Sequence, residues 1–201
     1  MFNIILAAGL SSRMKKNKLL LKYENKTFLH HLIEASFGAQ LDVIVVTGCY
    51  KNDVIKEINF LENIYNKHIH RVHNPNYENG QLSSLVTGVQ NLKDLGNKEP
   101  YFISVADVPL LKKDDFISLI PYLKNHDALR PKVNGIFGHP VLINNKITEE
   151  IINLNFKNKK EGLRSFLKKK DTYTFQSNNK AYIEDIDTQE AYLTLISNPL
   201  S

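Results

Sequence analysis

The sequence predicts an α/β domain in which a doubly wound, mostly parallel sheet carries helices on both faces. A small mixed β extension is expected in the C-terminal half. Two observations lead to this fold class. Apolar segments of strand length alternate with amphipathic segments through the first half, and after residue 128 the apolar segments follow one another more closely. We expect a single domain over residues 1–201, since this length suits one core and no linker or repeat interrupts it.

Each element is predicted from the spacing of its apolar residues. The predicted strands are Asn3–Leu6, Val43–Thr47, Ile69–His73, Tyr101–Val105, Ala128–Pro131, Gly138–Ile143, Tyr173–Gln176 and Tyr182–Glu184. The predicted helices are Phe28–Phe37, Lys51–Phe60, Leu82–Lys93, Lys113–Asn125, Thr148–Asn153, Gly162–Lys168 and Gln189–Ser197. Strands and helices that alternate in this way imply parallel pairing through crossover helices.

The composition excludes several classes of protein. No apolar run reaches the about 18 residues of a membrane span, and Phe2–Ala8 is too short for a secretory signal. We therefore expect a cytoplasmic protein with no membrane partner. The lone Cys49 excludes an internal disulfide and a cysteine metal cluster.

The positive charge is concentrated in two segments. The whole chain has a net charge of +5, while Arg13–Lys26 carries +5 and Lys157–Lys170 carries +6. Solvated helix faces account for many such lysines, whereas a positive field also suits polyphosphate substrates. Nucleic acid is not expected as a partner, because the basic segments lack interleaved aromatic residues and match no common nucleic-acid module.

The most informative segment follows the first strand and reads L-A-A-G-L-S-S-R-M-K-K-N-K over residues 6–18. Its small side chains let backbone N–H groups approach an anion, and Arg13 and Lys18 add positive charge. Glycine that merely leaves a strand is the plain alternative, but the adjacent cations favour a phosphate site.

This segment resembles the nucleotidyltransferase signature L-A-A-G-x-S-x-R-M-G-x-x-K. More specifically, the chain resembles the molybdenum cofactor cytidylyltransferases of the MobA-like NTP transferase superfamily, which have a Rossmann-like fold. Lys15 stands where the signature has Gly. The resemblance implies transfer of CMP from CTP to a phosphorylated acceptor, molybdopterin or molybdenum cofactor, with release of pyrophosphate. It also implies Mg²⁺ as cofactor and a molybdoenzyme or its chaperone as partner.

The resemblance also implies residues that bind the nucleotide. In the opening segment they are Leu6, Ala7, Ala8, Gly9, Ser11 and Ser12, with Arg13 at the β- and γ-phosphates and Lys18 at the α-phosphate. The segment Asn74–Leu85 resembles the family's N-P-x-Y-x-x-G-x-x-S-S-L, which approaches the base and ribose. It implies contacts from Asn79, Gly80, Ser83 and Ser84, although a serine here also suits a helix cap.

Two carboxylates are implied as metal ligands. Asp107 lies in D-x-P-L-L, where Ala106 replaces the family's Gly, and Asp187 lies in D-I-D-T-x-E. Each also suits a turn or a helix start. By resemblance Asp107 is catalytic and the principal Mg²⁺ ligand, and Asp187 shares the cation. Asp185, two residues before Asp187 on a predicted strand, is expected on the same face.

Two further segments imply residues that bind the acceptor. Residues 138–141 match the family's G-H-P-V, and residues 161–164 resemble its D-x-G-A-R run. They imply that His139, Gly162 and Arg164 contact the acceptor, while a hydrogen-bonded structural histidine is the alternative for His139.

Three alternatives stay open. A methylerythritol-phosphate cytidylyltransferase shares the opening motif, but the segments Asn74–Leu85 and Gly138–Pro140 argue against it. Guanylyltransferase relatives carry Ala-Gly-Gly where this chain has Ala7-Ala8-Gly9, so CTP is favoured over GTP. A non-catalytic nucleotide-binding accessory protein for a molybdoenzyme is the third, and the retained cations and carboxylates favour catalysis over it.

Overall fold

The computed structural model describes residues 1–9, 17–155 and 162–197. Its strands are β1 Phe2–Ala7, β2 Lys22–Tyr23, β3 Lys26–Thr27, β4 Asp42–Thr47, β5 His70–His73, β6 Tyr101–Val105, β7 Ala128–Val133, β8 Ile136–Phe137, β9 Val141–Ile143 and β10 Thr172–Gln176. Its α-helices are α1 Phe28–Gly38, α2 Lys51–Tyr65, α3 Gln81–Asp94, α4 Lys113–Ile117, α5 Ile120–Leu123, α6 Thr148–Ile152, α7 Leu163–Leu167 and α8 Gln189–Ser197. Among these helices none has the length and apolar character needed to span a membrane.

One large sheet organises the described residues. Its strand order is β10-β7-β9-β6-β1-β4-β5, and β8 pairs with β7 at the side. β1 runs parallel to both β4 and β6, β4 runs parallel to β5, and β10 runs parallel to β7. β9 is antiparallel to β6 and β7. The predicted fold class is confirmed, including the mixed extension after residue 128.

The two faces of the sheet bury separate sets of side chains, because neighbouring residues of a strand point in opposite directions. On β1, Ile5 packs in a core cluster with residues of α1, α2, α4 and α5. Ile4 packs in a second cluster with residues of α3, α6 and α7. α3 lies so close to the sheet that a Cβ on Gly88 would come within 2.6 Å of the Ile4 side chain. Helices therefore cover both faces, as predicted.

Four predicted elements differ from the structure by more than about two residues. The helix predicted over Lys51–Phe60 continues to Tyr65. The predicted helix Lys113–Asn125 is divided into α4 and α5, because Pro121 has no N–H for a continuous helix and instead lies in the first turn of the second one. The predicted strand Gly138–Ile143 is shortened to Val141–Ile143, since Pro140 cannot donate to a sheet ladder. The predicted strand Tyr182–Glu184 is wrong.

The last of these segments forms a 3₁₀ turn over Lys180–Tyr182. The side chain of Asn179 caps it by accepting a hydrogen bond from the Ala181 N–H at 3.0 Å. The phenol of Tyr182 is buried and donates to the Asp115 carbonyl at 3.1 Å. A capping asparagine and a long-range phenol contact thus replace the expected sheet pairing.

Candidate active site

The carboxyl ends of β1, β4 and β6 lie side by side, because the three strands are adjacent and parallel. Ligands gather at this edge in open α/β sheets. β1 leads into the buried Ala8 and the exposed Gly9, and β6 leads through Ala106 to Asp107. The predicted nucleotide residues Leu6, Ala7, Ala8 and Gly9 are therefore brought to the same edge as the predicted metal ligand.

Gly48 fixes how closely these strand ends approach one another. A Cβ at this position would lie 2.6 Å from the Ala8 carbonyl oxygen and 2.8 Å from the Tyr77 Cβ. Any side chain at this position would therefore separate the end of β1 from the loop after β5. The sequence analysis did not select Gly48. A glycine directly after a buried strand was the available signal.

Lys18 is positioned by a local turn. It begins a 3₁₀ turn capped by Asn17, whose side chain accepts a hydrogen bond from the Leu19 N–H at 3.2 Å. The Lys18 ammonium donates to Asp107 Oδ2 and to Asp187 Oδ1, each at 2.5 Å. Burial alone would lower the pKa of Lys18, but these two carboxylates outweigh it and the pKa is raised. Lys18 therefore stays protonated.

The two aspartate segments are joined by the backbone. The N–H of the buried Ile186 donates to the Asp107 carbonyl at 3.1 Å, which holds the C-terminal segment against the end of β6. One carboxylate oxygen from each of Asp107, Asp185 and Asp187 lies within 4.8 Å of the others. Asp185 was predicted on a strand, and that is wrong, because its segment makes no sheet pairing. Its predicted proximity is nevertheless found.

This acidic group fits a divalent metal. Asp107 Oδ1 is buried and has no hydrogen-bond partner within the part of the chain that the structure describes. A buried carboxylate oxygen without a donor carries a large desolvation penalty unless a cation or donor meets it. Burial, followed by the charges of Asp107 and Asp187, raises the pKa of Asp185 to about 6. Crowded carboxylates of this kind are the oxygen donors that Mg²⁺ takes.

The predicted base-side residues form a hydrogen-bonded unit around Asn74. The buried amide of Asn74 donates to Ser83 Oγ at 2.8 Å and to Ser84 Oγ at 3.0 Å. This ties the loop after β5 to the first turn of α3. Gly80 joins the two with φ of 95°, a value that favours glycine. Asn79 ends the preceding 3₁₀ turn. Base contact by these residues remains a prediction.

Two of the three predicted acceptor residues line one cavity, which Leu6 of β1 also lines. His139 and Arg164 line it together with Arg130 of β7. Gly162 is the N-cap of α7, and its N–H donates to Ser165 Oγ at 3.0 Å. His139 Nδ1 lies 3.4 Å from the Ile103 carbonyl oxygen. Burial lowers the pKa of His139, with Arg130 adding to the effect and Asp107 opposing it.

Some predicted residues are outside the described part of the chain. They are Ser11, Ser12, Arg13 and Lys15. Among described residues, the sequence analysis did not select Asn74 or Arg130 as site residues. An arginine inside an otherwise apolar predicted strand was the signal for Arg130, because such a charge is rarely buried without a partner.

Residues 3–174 match the family model described as the MobA-like NTP transferase domain. The chain is 33% identical over 192 residues to the molybdenum cofactor cytidylyltransferase of Escherichia coli K12, covering 95% of this chain and 93% of that protein. It is 26% identical over 158 residues to a probable molybdenum cofactor guanylyltransferase of Bacillus cereus AH187, covering 75% and 72%. The crystal structure of Rv0371c from Mycobacterium tuberculosis H37Rv is similar in fold, with TM-score 0.79, 17% identity and 98% of each chain covered.

Proposed function

The chain belongs to the MobA-like NTP transferase family, and we propose that it transfers CMP from CTP to a phosphorylated pterin-type acceptor, molybdopterin or molybdenum cofactor. A phosphate oxygen of the acceptor forms a bond to the α-phosphorus of CTP. The bond from that phosphorus to the bridging oxygen breaks, and pyrophosphate leaves with the electron pair. The identity to the E. coli cytidylyltransferase supports both the nucleotide and the acceptor class.

The contact of Lys18 with both Asp107 and Asp187 carries this proposal. Three residues from distant parts of the sequence converge at one strand edge, with side chains that are only 15%, 18% and 28% exposed. Removing charges from water is unfavourable, so a purely structural role would favour apolar side chains of similar size. A site that binds phosphates and a metal requires these charges.

The residues of the chain supply position and charge. The acceptor phosphate is ionised near neutral pH, so the reaction requires no protein base. The backbone after β1, with Arg13, holds the β- and γ-phosphates, and the Lys18 ammonium turns from the carboxylates to the α-phosphate. Positive charge placed where negative charge develops stabilises the transition state, and fixed geometry adds the in-line approach.

We further propose Mg²⁺ as the metal, held by Asp107 and Asp187 with Asp185 beside them. The unpartnered Asp107 Oδ1 supports this assignment. When bound, Mg²⁺ supplies charge neutralisation at the phosphate oxygens and at the leaving pyrophosphate.

The choice of base rests on the first loop. Ala8 stands where guanylyltransferase relatives carry Gly, and its side chain limits how closely a base can approach. The match to the B. cereus protein makes guanylyl transfer the second candidate. We also propose a cytoplasmic location, with a molybdoenzyme or its chaperone as recipient of the product.

Calorimetry with CTP, GTP, ATP and UTP in the presence of Mg²⁺ tests the nucleotide. We expect CTP to bind at least about tenfold more tightly than the others, which is about 1.4 kcal/mol. A preference for GTP of the same size would assign the guanylyl reaction. Pyrophosphate release with CTP and molybdopterin tests the transfer. A protein that binds CTP tightly and releases no pyrophosphate would be the accessory protein instead.

A further inference from the structure

A small cavity separates the carboxyl end of β1 from the C-terminal extension. Its volume is about 70 Å³. Leu6 and Ile103 line it from the parallel strands, while Arg130, His139 and Arg164 line it from the extension. His139 Nδ1 lies 3.4 Å from the carbonyl oxygen of Ile103, and Ile103 lies on β6, the strand that leads to Asp107, so the cavity adjoins the acidic group.

The charge in this cavity has one sign. Its described lining contains two arginines and one histidine but no carboxylate. Arg130 Nε is buried and has no hydrogen-bond partner among the described residues. The Phe137 ring covers the guanidinium, with 4.7 Å from Arg130 Cζ to the ring centre. The contact with the ring gives the buried Nε–H no acceptor, which is unfavourable.

The donor set selects a phosphate. Burial lowers the pKa of Arg130, and the nearby charge of Arg164 lowers it further, so a cation at this position is disfavoured without a ligand. An anion between the two guanidinium groups would offset both the cost of burying Arg130 and its repulsion by Arg164. Arginine presents a planar fork that binds phosphate oxygens in pairs. The remaining wall is mostly apolar, with Leu82, Leu85 and Val141, and suits an uncharged organic portion.

We propose that Arg130, with Arg164, forms the subsite that binds the phosphate monoester of the acceptor and holds its attacking oxygen beside the metal group. This inference rests on the proposed transfer reaction and adds to it the residue that anchors the acceptor phosphate. Arg130 is partly buried and its buried Nε has no partner among the described residues, while Arg164 is exposed. Arg130 is therefore the principal anchor.

The first test uses inorganic phosphate as the probe, with calorimetric titration of wild type, Arg130→Gln, Arg164→Gln and Lys132→Gln. Lys132 is the matched control, because it lies on the same strand and also contacts Phe137, at 5.1 Å, but does not line the cavity. We expect Arg130→Gln to weaken phosphate binding by at least about tenfold, Arg164→Gln by less, and Lys132→Gln by less than about twofold. Equal binding by Arg130→Gln and wild type would overturn the proposal.

The second test separates the acceptor phosphate from the phosphates of CTP. In the pyrophosphate-release assay, Arg130→Gln is expected to raise the KM for molybdopterin at least about tenfold and to change the Kd for CTP by less than about twofold. Arg130→Lys, which keeps the charge without the planar fork, is expected in between. A loss confined to CTP affinity would assign the cavity to the nucleotide and refute the inference.

Failure of the transfer reaction would be recognised separately. A wild-type protein that releases no pyrophosphate with molybdopterin contradicts the proposed function, while the phosphate titration still reports on Arg130. Conversely, active transfer with an unchanged molybdopterin KM in a folded Arg130→Gln variant contradicts the subsite alone. If Arg130→Gln does not fold, as judged by thermal melting, Arg164→Gln and Arg130→Lys give the same comparison.

Discussion

The charged residues at the ligand edge form two groups whose charges are balanced in different ways. In the acidic group, Asp107 and Asp187 each contact the Lys18 ammonium at 2.5 Å. In the basic group, Arg130 and Arg164 share a cavity whose described lining has no carboxylate. The acidic group is thus partly neutralised within the chain, whereas the described lining of the basic group supplies no such counter-charge.

This difference determines what each group must do when a ligand arrives. A metal ion at the unpartnered Asp107 Oδ1 is a second cation beside the carboxylates that Lys18 contacts, so it repels the ammonium and displaces it from at least one of them. The displaced ammonium is then able to turn to a phosphate. The basic group requires no displacement, since an anion enters a cavity that already holds positive charge. The acidic group therefore exchanges one cation for another, whereas the basic group binds an anion without displacing another group.

The largest expected effect comes from breaking the acidic group at its centre. Asp107→Asn keeps the size and turn geometry of the side chain but removes the charge that a hard cation requires. We expect Mg²⁺-dependent pyrophosphate release to fall by about 10³-fold or more. Thermal melting should stay close to that of the wild type, since Lys18 keeps its ion pair with Asp187 and the substitution removes a charge that the structure leaves only partly neutralised.

Asp114→Asn is the matched control for this substitution. Asp114 is an exposed carboxylate in the first turn of α4 and is not among the clustered acidic residues. The pyrophosphate release of the Asp114→Asn variant should equal that of the wild type. A folded Asp107→Asn variant that keeps wild-type activity across a Mg²⁺ titration would make Asp107 a turn residue and remove the metal assignment.

Lys18→Ala tests the exchange of cations directly. Turnover is expected to fall by about 10²-fold, because the ammonium acts where charge develops at the α-phosphorus. The Kd for CTP should change much less. Metal affinity should rise, since a methyl side chain does not compete for the two carboxylates. Steady-state kinetics and a Mn²⁺ titration measure both effects, with the exposed Lys22→Ala as control. A raised KM with unchanged turnover would make Lys18 a ground-state clamp.

The parallel part of the fold was predictable because its periodicity is local. Apolar runs such as those of β4 and β6 are buried on both faces, so their composition alone identifies strands. The C-terminal part was predicted less well, because long-range contacts decide it. The local pattern predicts Tyr182 in a strand. In the structure its phenol donates a hydrogen bond to the Asp115 carbonyl, and its segment forms a 3₁₀ turn. No pattern within ten residues of Tyr182 contains that information.

The site divides in the same way. Motifs led to Lys18, Asp107 and Asp187, and the structure brings them into contact. The motifs did not lead to Gly48 or Arg130, since the role of each depends on residues that are near it in space but distant in sequence. Gly48 matters because Ala8 is adjacent in space, and Arg130 matters because the described lining of its cavity contains no carboxylate. A single sequence gives the identity of a residue but not which residues surround it in the fold.

Gly48→Ala tests whether close backbone packing positions the nucleotide loop beside the acidic group. The added Cβ would lie 2.6 Å from the Ala8 carbonyl, so stability should decrease by about 1–3 kcal/mol and the KM for CTP should rise. Gly9→Ala is the control for stability, because a Cβ there meets no atom of the described residues within 4 Å. Chemical denaturation compares the two. Equal stability of Gly48→Ala and the wild type would show that the loop adapts.

The smallest expected effect is a change in the pH dependence of stability, and it tests the charge around His139 in the basic group. Burial and the charge of Arg130 lower the pKa of His139 below the ordinary value of 6.5, so the folded protein disfavours its protonation. The unfolded chain takes up that proton as the pH falls below 6.5. His139 therefore contributes stability that is present above about pH 6.5 and is lost as the pH falls towards its folded pKa.

Melting temperatures at pH 7.5 and 5.5 measure this contribution. The decrease on acidification should be larger for the wild type than for His139→Gln, by an order of a few degrees. Arg130→Gln should also reduce the decrease, because it removes one of the charges that oppose protonation of His139. Identical decreases in all three proteins would mean that His139 is protonated without penalty. The basic group would then already contain a counter-charge, and the contrast with the acidic group would not hold.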